Sequence, residues 1–269
     1  MKAAEKTSKR EVARTSVKDR VLESEKLANA LGALMQNPGN HAVNRMANII
    51  YNMVLGVDPR LIGIATFIFR MWDAFTDPVM GHISDNSRFK IGRRRPWIIL
   101  GAVLCGITFP LIWLVPRGWG EGATFSYLLL SCIIFYTCYT IFAVPYNTLA
   151  MEMTPDYHEK TRVVAWRALF MKLSAIGIAW LFFFTQQFKD TLTGMRWVGL
   201  GLGIVFVVFG VLPGFFVKER YYKQASKQEK VKLWPSIKTT LSCKPFVMLI
   251  SMVVLMVLGC QMINGLGEY

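Results

Sequence analysis

RMWDAFTDPVMG, residues 70–81, sets one arginine and two aspartates in a stretch that otherwise reads as an apolar helix. An ionised side chain at the middle of a spanning helix costs on the order of 3 kcal/mol or more. Spacing accounts for the three. Gly63, Thr66, Arg70, Asp73, Asp77, Gly81 and Ser84 recur at steps of three and four, which places them on one helix face. Ile64, Phe67, Ile68, Met71, Trp72 and Phe75 occupy the opposite face. The stretch is therefore expected to be a membrane helix with one polar side.

The surrounding sequence supports a membrane setting. Of the 269 residues, 53% are hydrophobic, and they come in long runs. Residues 97–116, 122–151, 197–217 and 245–267 contain no Asp, Glu, Lys or Arg. A bilayer core takes about 20 apolar residues per helix, and these runs are too long and too uniform for barrel strands. The expected fold is an all-α integral membrane protein. Helices are predicted over 28–56, 60–84, 97–116, 123–151, 162–188 and 195–217, with a seventh from 244. The organisation follows: a basic tail 1–26, a six-helix bundle 27–217, a basic linker 218–243, and the start of a seventh helix at 244–269.

The net charge of +14 does not point to nucleic acid, because the basic residues collect in the gaps between apolar runs. Residues 1–26 and 218–244 hold eight Lys/Arg each and residues 85–96 hold five, whereas 117–121 hold one. This bias places the basic gaps and the N-terminus in the cytoplasm and the chain in the plasma membrane, with anionic lipid headgroups as partners. The N-terminal tail has no apolar core for a signal peptidase to follow. The five cysteines show no metal-ligand spacing and read as packing residues.

Two further helices carry polar stripes. Asn37, His41, Asn44, Asn48 and Asn52 line the first, with Arg45 near the edge; Tyr136, Thr140, Ala143, Asn147 and Ala150 line the fourth. Three polar faces turned inward imply a shared cavity, whereas a purely structural bundle would use small residues and single hydrogen bonds. Asp73 and Asp77 lie one turn apart. Two carboxylates that close, out of bulk water, take a proton or a cation between them. Arg70, one turn earlier, can neutralise one of them, and a closed Arg–Asp–Asp structural network is the alternative. Arg167 of the fifth helix can reach the cavity, and His41 reads as a lining residue. An intramembrane Mg²⁺–diphosphate enzyme would also use D-x-x-x-D, but it needs a second acidic cluster. Glu152, Asp156, Glu159 and Asp190 read as isolated or as loop residues, so no enzyme is expected.

GHISDNSRFKIGRRRP (81–96) resembles the loop between helices two and three of the major facilitator superfamily. Gly81, Asp85, Gly92, Arg93, Arg94 and Arg95 match its pattern, and the resemblance implies a cytoplasmic charge latch that gates the carrier. WDAFTDPVMG, GRRRPW, YTIFAVPYNTLAMEMTPDYHEKTR and the GLG (265–267) of the seventh span narrow it further. Together they resemble the glycoside–pentoside–hexuronide:cation symporter family, over nearly all of residues 27–269. That likeness implies a coupling Na⁺ or H⁺ at Asp73 and Asp77 with Thr76 and Thr140 beside them, and no other metal or cofactor. It implies solute contacts at Asn37, His41, Arg70, Tyr139, Asn147 and Arg167. Galactoside carriers place carboxylates where Asn37 and Ala143 stand here, so the implied solute is a sugar or glycoside other than a simple galactoside, with a lysolipid as the alternative. Relatives have twelve helices. This chain is expected to be a fragment or truncated product that needs a second half, and residues 1–269 alone are expected to carry no coupled transport.

Overall fold

The computed structural model describes residues 20–220, 242–252 and 255–256. Two compact units divide the chain, Met1–Gln228 and Glu229–Tyr269. The described part of the second is helical from residue 244. Its GLG (265–267), most of the basic tail and most of the linker lie outside the described residues.

The described residues of the first unit hold six α-helices: α1 (Glu23–Ala47), α2 (Pro59–Asn86), α3 (Arg95–Leu111), α4 (Glu121–Glu152), α5 (Tyr157–Gln186) and α6 (Thr191–Phe216). The all-α membrane fold is thus found. By length and composition α4, α5 and α6 are each long and apolar enough to cross a membrane. α3 is apolar but has 17 residues. α1 and α2 have the length but carry the polar faces.

Several helices begin earlier than the apolar runs suggest, because caps rather than hydropathy start them. Asp156 accepts the Glu159 amide at 2.8 Å and starts α5 at Tyr157, ahead of the expected residue 162. Asp190 accepts the Thr193 amide at 3.0 Å and starts α6 at Thr191. Asp58 caps α2 through the Arg60 amide, with Pro59 in the first turn. α1 starts at Glu23, inside the expected tail, and continues at its far end into a π-helical stretch, Asn48–Val54. There the Leu55 amide reaches back five residues to the Ile50 carbonyl, 3.1 Å away.

The order in space differs from the order in the chain. α2 packs on α4, α4 on α3, α3 on α6, α6 on α1, and α1 on α5. Gly106 and Gly203 allow α3 and α6 to touch: a Cβ on Gly203 would sit 2.5 Å from the Gly106 carbonyl oxygen. An aromatic core fills the middle, with Phe109 against Phe135 and Phe206 at ring centroids of 5.4 and 5.0 Å. Phe135, Tyr136, Phe142 and Tyr146 are all fully buried along α4.

Candidate functional site

The polar face of α2 meets α4 at the aspartates. Asp77 accepts a hydrogen bond from the Thr140 hydroxyl at 3.0 Å. Thr76 lies 3.4 Å from the same hydroxyl and donates to the Trp72 carbonyl at 3.1 Å. Asp73 pairs with Arg70 through one carboxylate oxygen at 3.5 Å, and its other oxygen is buried with no hydrogen-bond partner. Asp73, Thr76, Asp77 and Thr140 are thus brought together. They offer carboxylate and hydroxyl oxygens alone, the donor type that hard cations take. Trp72 ties the same two helices from the side, donating to Thr137 at 2.8 Å.

Arg70 makes two further contacts. It donates to the Asn40 side-chain oxygen at 3.1 Å and lies 5.7 Å from the centre of the Tyr136 ring. Tyr136 is stacked on Phe69 at 4.9 Å, and its hydroxyl has no partner.

A second cluster joins α1, α4 and α5. Arg167 donates to Gln36 at 2.8 Å and to Asn147 at 2.7 Å, and its guanidinium lies 4.5 Å from the Tyr146 ring centre. Gln36 donates to Asn147 at 2.8 Å, and the Tyr139 hydroxyl donates to the Gln36 carbonyl at 2.9 Å. Arg167 and Tyr139 are buried; Asn147 is exposed.

Two predicted contacts fall elsewhere. Asn37 is buried and donates to the Met171 carbonyl of α5 at 3.0 Å, so its amide joins two helices instead of lining the cluster. His41 is exposed and hydrogen-bonds to neither cluster, though the charge of Arg70 reaches it. The residues in play on α1 are Gln36 and Asn40, one position earlier, about 100° round the helix. The signal was there: Gln36, Asn40 and Asn44 also recur every four residues.

The predicted latch residues form a network at the basic end. Asp85 pairs with Arg94 at 2.5 Å and with Arg93 at 3.8 Å. Glu152, at the end of α4, pairs with both arginines, so it is not isolated. Glu219 accepts the backbone amides of Arg93 and Arg94 at 2.8 Å and of Arg95 at 3.1 Å, capping the start of α3. Gly92 has φ +131°, and a Cβ there would lie 2.8 Å from the Glu219 carboxylate. Arg95 in turn donates to the carbonyls of Gly214 and Phe215 at the end of α6, both at 2.6 Å. Gly81 stands apart, since a Cβ there would meet only Val144, at 3.8 Å.

The other acids read as isolated are also paired. Glu159 bonds Lys26 at 2.8 Å and Arg162 at 2.6 Å, with Lys26 and Glu159 nearly inaccessible to solvent. Burial works against charging either group, but the direct contact prevails. It holds the Glu159 carboxyl below its ordinary range and the Lys26 ammonium above. Asp190 pairs with Arg117. Among the described residues no group of three or more His, Cys, Asp or Glu is placed to hold a metal.

The family model described as "MFS/sugar transport protein" matches residues 28–269. The chain belongs to that family. It is a family of membrane transporters rather than enzymes. The chain is 36% identical over 146 residues to the sodium-dependent lysophosphatidylcholine symporter 1 of Mus musculus, covering 53% of this chain and 27% of the relative. The human protein of that name is 39% identical over 112 residues, covering 41% and 20%. An uncharacterized symporter of Bacillus subtilis, YnaJ, is 27% identical over 251 residues, covering 91% and 54%. The chain thus spans about half, or less, of the length of the curated relatives it matches.

Proposed function

We propose that this chain supplies the cation-binding half of a Na⁺-coupled symporter. The observation that carries the reading is the oxygen cluster of Asp73, Asp77 and Thr140, in which one Asp73 oxygen is buried and unpartnered. A carboxylate oxygen in that position is costly unless a cation or proton takes it. Bound Na⁺ relieves the repulsion within the pair and competes with Arg70 for Asp73. Cation and solute then favour each other reciprocally, as thermodynamic linkage demands. Na⁺ is favoured over H⁺ by the sodium-dependent relatives. The basic end, with the Asp85–Arg94–Glu152 network, is assigned to the cytoplasm of a plasma membrane.

The solute we favour is an amphiphile with a zwitterionic head, of the lysophospholipid class, over a simple sugar. Asn37 has its amide committed to Met171, and Ala143 holds the second sugar-carboxylate position. Arg167, held by Gln36 and Asn147, supplies a guanidinium suited to a phosphate oxygen. The glycoside reading keeps the support of the family description and of the same hydrogen-bonding groups.

The test is uptake by the carrier assembled from this chain and a second six-helix half. Na⁺-dependent accumulation of lysophosphatidylcholine, lost in Asp73→Asn and Asp77→Asn, is expected. Na⁺-independent uptake, or uptake unchanged in both variants, would refute the coupling; preferential uptake of glycosides would replace the solute.

A further inference from the structure

Arg70 makes three direct contacts of different kinds, and none holds it completely. Its ion pair with Asp73 is 3.5 Å long. A charge-assisted N–H···O bond closes to about 2.7–2.9 Å when nothing restrains it. The Asn40 oxygen takes one guanidinium N–H at 3.1 Å, from α1. The Tyr136 ring offers its face at 5.7 Å, from α4, inside the range in which a guanidinium gains from an aromatic quadrupole. Tyr136 cannot follow Arg70 if it moves, because the ring is fully buried, stacked on Phe69 and packed edge-on against Phe135 and Tyr139 of α4. Tyr136 is therefore a fixed point and Asn40 is half-buried on α1, while Arg70 is a long side chain that is 41% exposed.

We propose that Asn40 and Tyr136 form a seat for Arg70 that keeps it from closing on Asp73, and that they are positioning residues for the cation site. The inference rests on the cation reading above. The seat gives Arg70 a second place to be. Without a cation, Arg70 leans toward Asp73 and offsets part of the charge of the aspartate pair. With a cation on the pair, the guanidinium would be repelled. It then rests on the Asn40 oxygen and the Tyr136 ring, losing one contact and keeping two. Because Asn40 belongs to α1, Arg70 to α2 and Tyr136 to α4, cation occupancy is felt by three helices at once. Gln36 stands one turn before Asn40, so the same helix carries the event toward Arg167 and the second cluster. Neither Asn40 nor Tyr136 touches the cation in this scheme; both act through Arg70.

Acting through Arg70 has a signature that direct ligation lacks. The 269-residue chain is reconstituted in lipid nanodiscs and titrated calorimetrically with NaCl against a choline chloride background. Asn40→Ala and Tyr136→Leu remove the two parts of the seat, free Arg70 to close on Asp73, and are each expected to weaken Na⁺ binding about five- to tenfold. Tyr136→Phe keeps the ring face and is expected to restore what Tyr136→Leu loses. With Arg70→Ala, where nothing needs a seat, the Asn40 and Tyr136 substitutions are expected to change Na⁺ affinity less than about twofold, a non-additive cycle. Full weakening by Asn40→Ala in the Arg70→Ala background would overturn the seat, as would no effect with Arg70 present. Thermal melting of each variant checks folding; should Tyr136→Leu unfold, the Asn40 cycle decides alone. Absence of Na⁺ binding by the unaltered chain and by Arg70→Ala alike would sink the cation reading, and the seat with it. Na⁺ binding lost in Asp73→Asn, with additive Asn40 effects, would sink the seat alone.

Discussion

Asp73 and Asp77 are the same residue type one turn apart, yet their surroundings differ. Asp77 is exposed and takes a hydroxyl from α4, whereas Asp73 is half-buried and leans on Arg70. Thr140 therefore organises the more exposed carboxylate. Thr140→Val, which keeps shape and removes the donor, is expected to weaken Na⁺ binding about tenfold, close to 1.4 kcal/mol and near the top of the range for an ordinary hydrogen bond. Titration calorimetry of the variant chain would measure it. At the basic end, the Lys26–Glu159 pair sets a pH window. Glu159 titrates below its ordinary 4.5 in the folded state, so its contribution is complete above that value and lost as pH falls through the lower folded value. Lys26 titrates above 10.5, so its contribution is complete below that value and lost as pH rises through the folded one. The unfolding midpoint is expected to fall at both extremes, and a Lys26→Met/Glu159→Leu double variant is expected to flatten both shoulders in a melting series across pH. The aspartate pair was legible because charge inside an apolar run is conspicuous. Gln36 and Asn40 were not, because α1 is so rich in asparagine that two helical phases fit, and only packing against α4 and α5 chooses between them.

At the scale of the element, α3 depends on a residue more than a hundred positions away. Its first amides face the Glu219 carboxylate, which sits just past the end of α6. A negative group at a helix N-terminus satisfies free amides and meets the positive end of the dipole. Glu219→Ala is expected to cost about 1–2 kcal/mol, the scale of a lost N-cap, read as a lower melting midpoint in detergent. Gly92→Ala is expected to lower it too, since the added methyl enters the carboxylate's place at a backbone angle that favours glycine. The helices themselves were legible from hydropathy for α3, α4 and α6, where apolar runs approach the length of a span. The starts of α1 and α5 were not, because their first turns are polar and rest on ion pairs and caps that hydropathy does not register. The Arg cluster of the α2–α3 loop was visible in sequence, but Glu152 and Glu219 had no local pattern to announce that they answer it.

For the whole molecule, the helices described in Met1–Gln228 make a core of their own. A chain ending at Gln228 is expected to keep its helical circular dichroism and to melt within about 2 °C of the 269-residue chain, no more than about 1 kcal/mol gives in a unit this size. A much larger fall would show that the core depends on residues 229–269. The spatial order of the helices also bears on how the protein is made. α2 finds its main neighbour in α4, and the hydroxyl that meets Asp77 comes 63 residues later in the chain. At about 5–20 residues per second, the ribosome needs roughly 3–13 seconds to supply it. For that interval the helix with both aspartates has been synthesised and the helix that it packs against has not. The insertion machinery must shelter a charged segment until α4 emerges, which makes α2 the step at which biogenesis is most exposed to error.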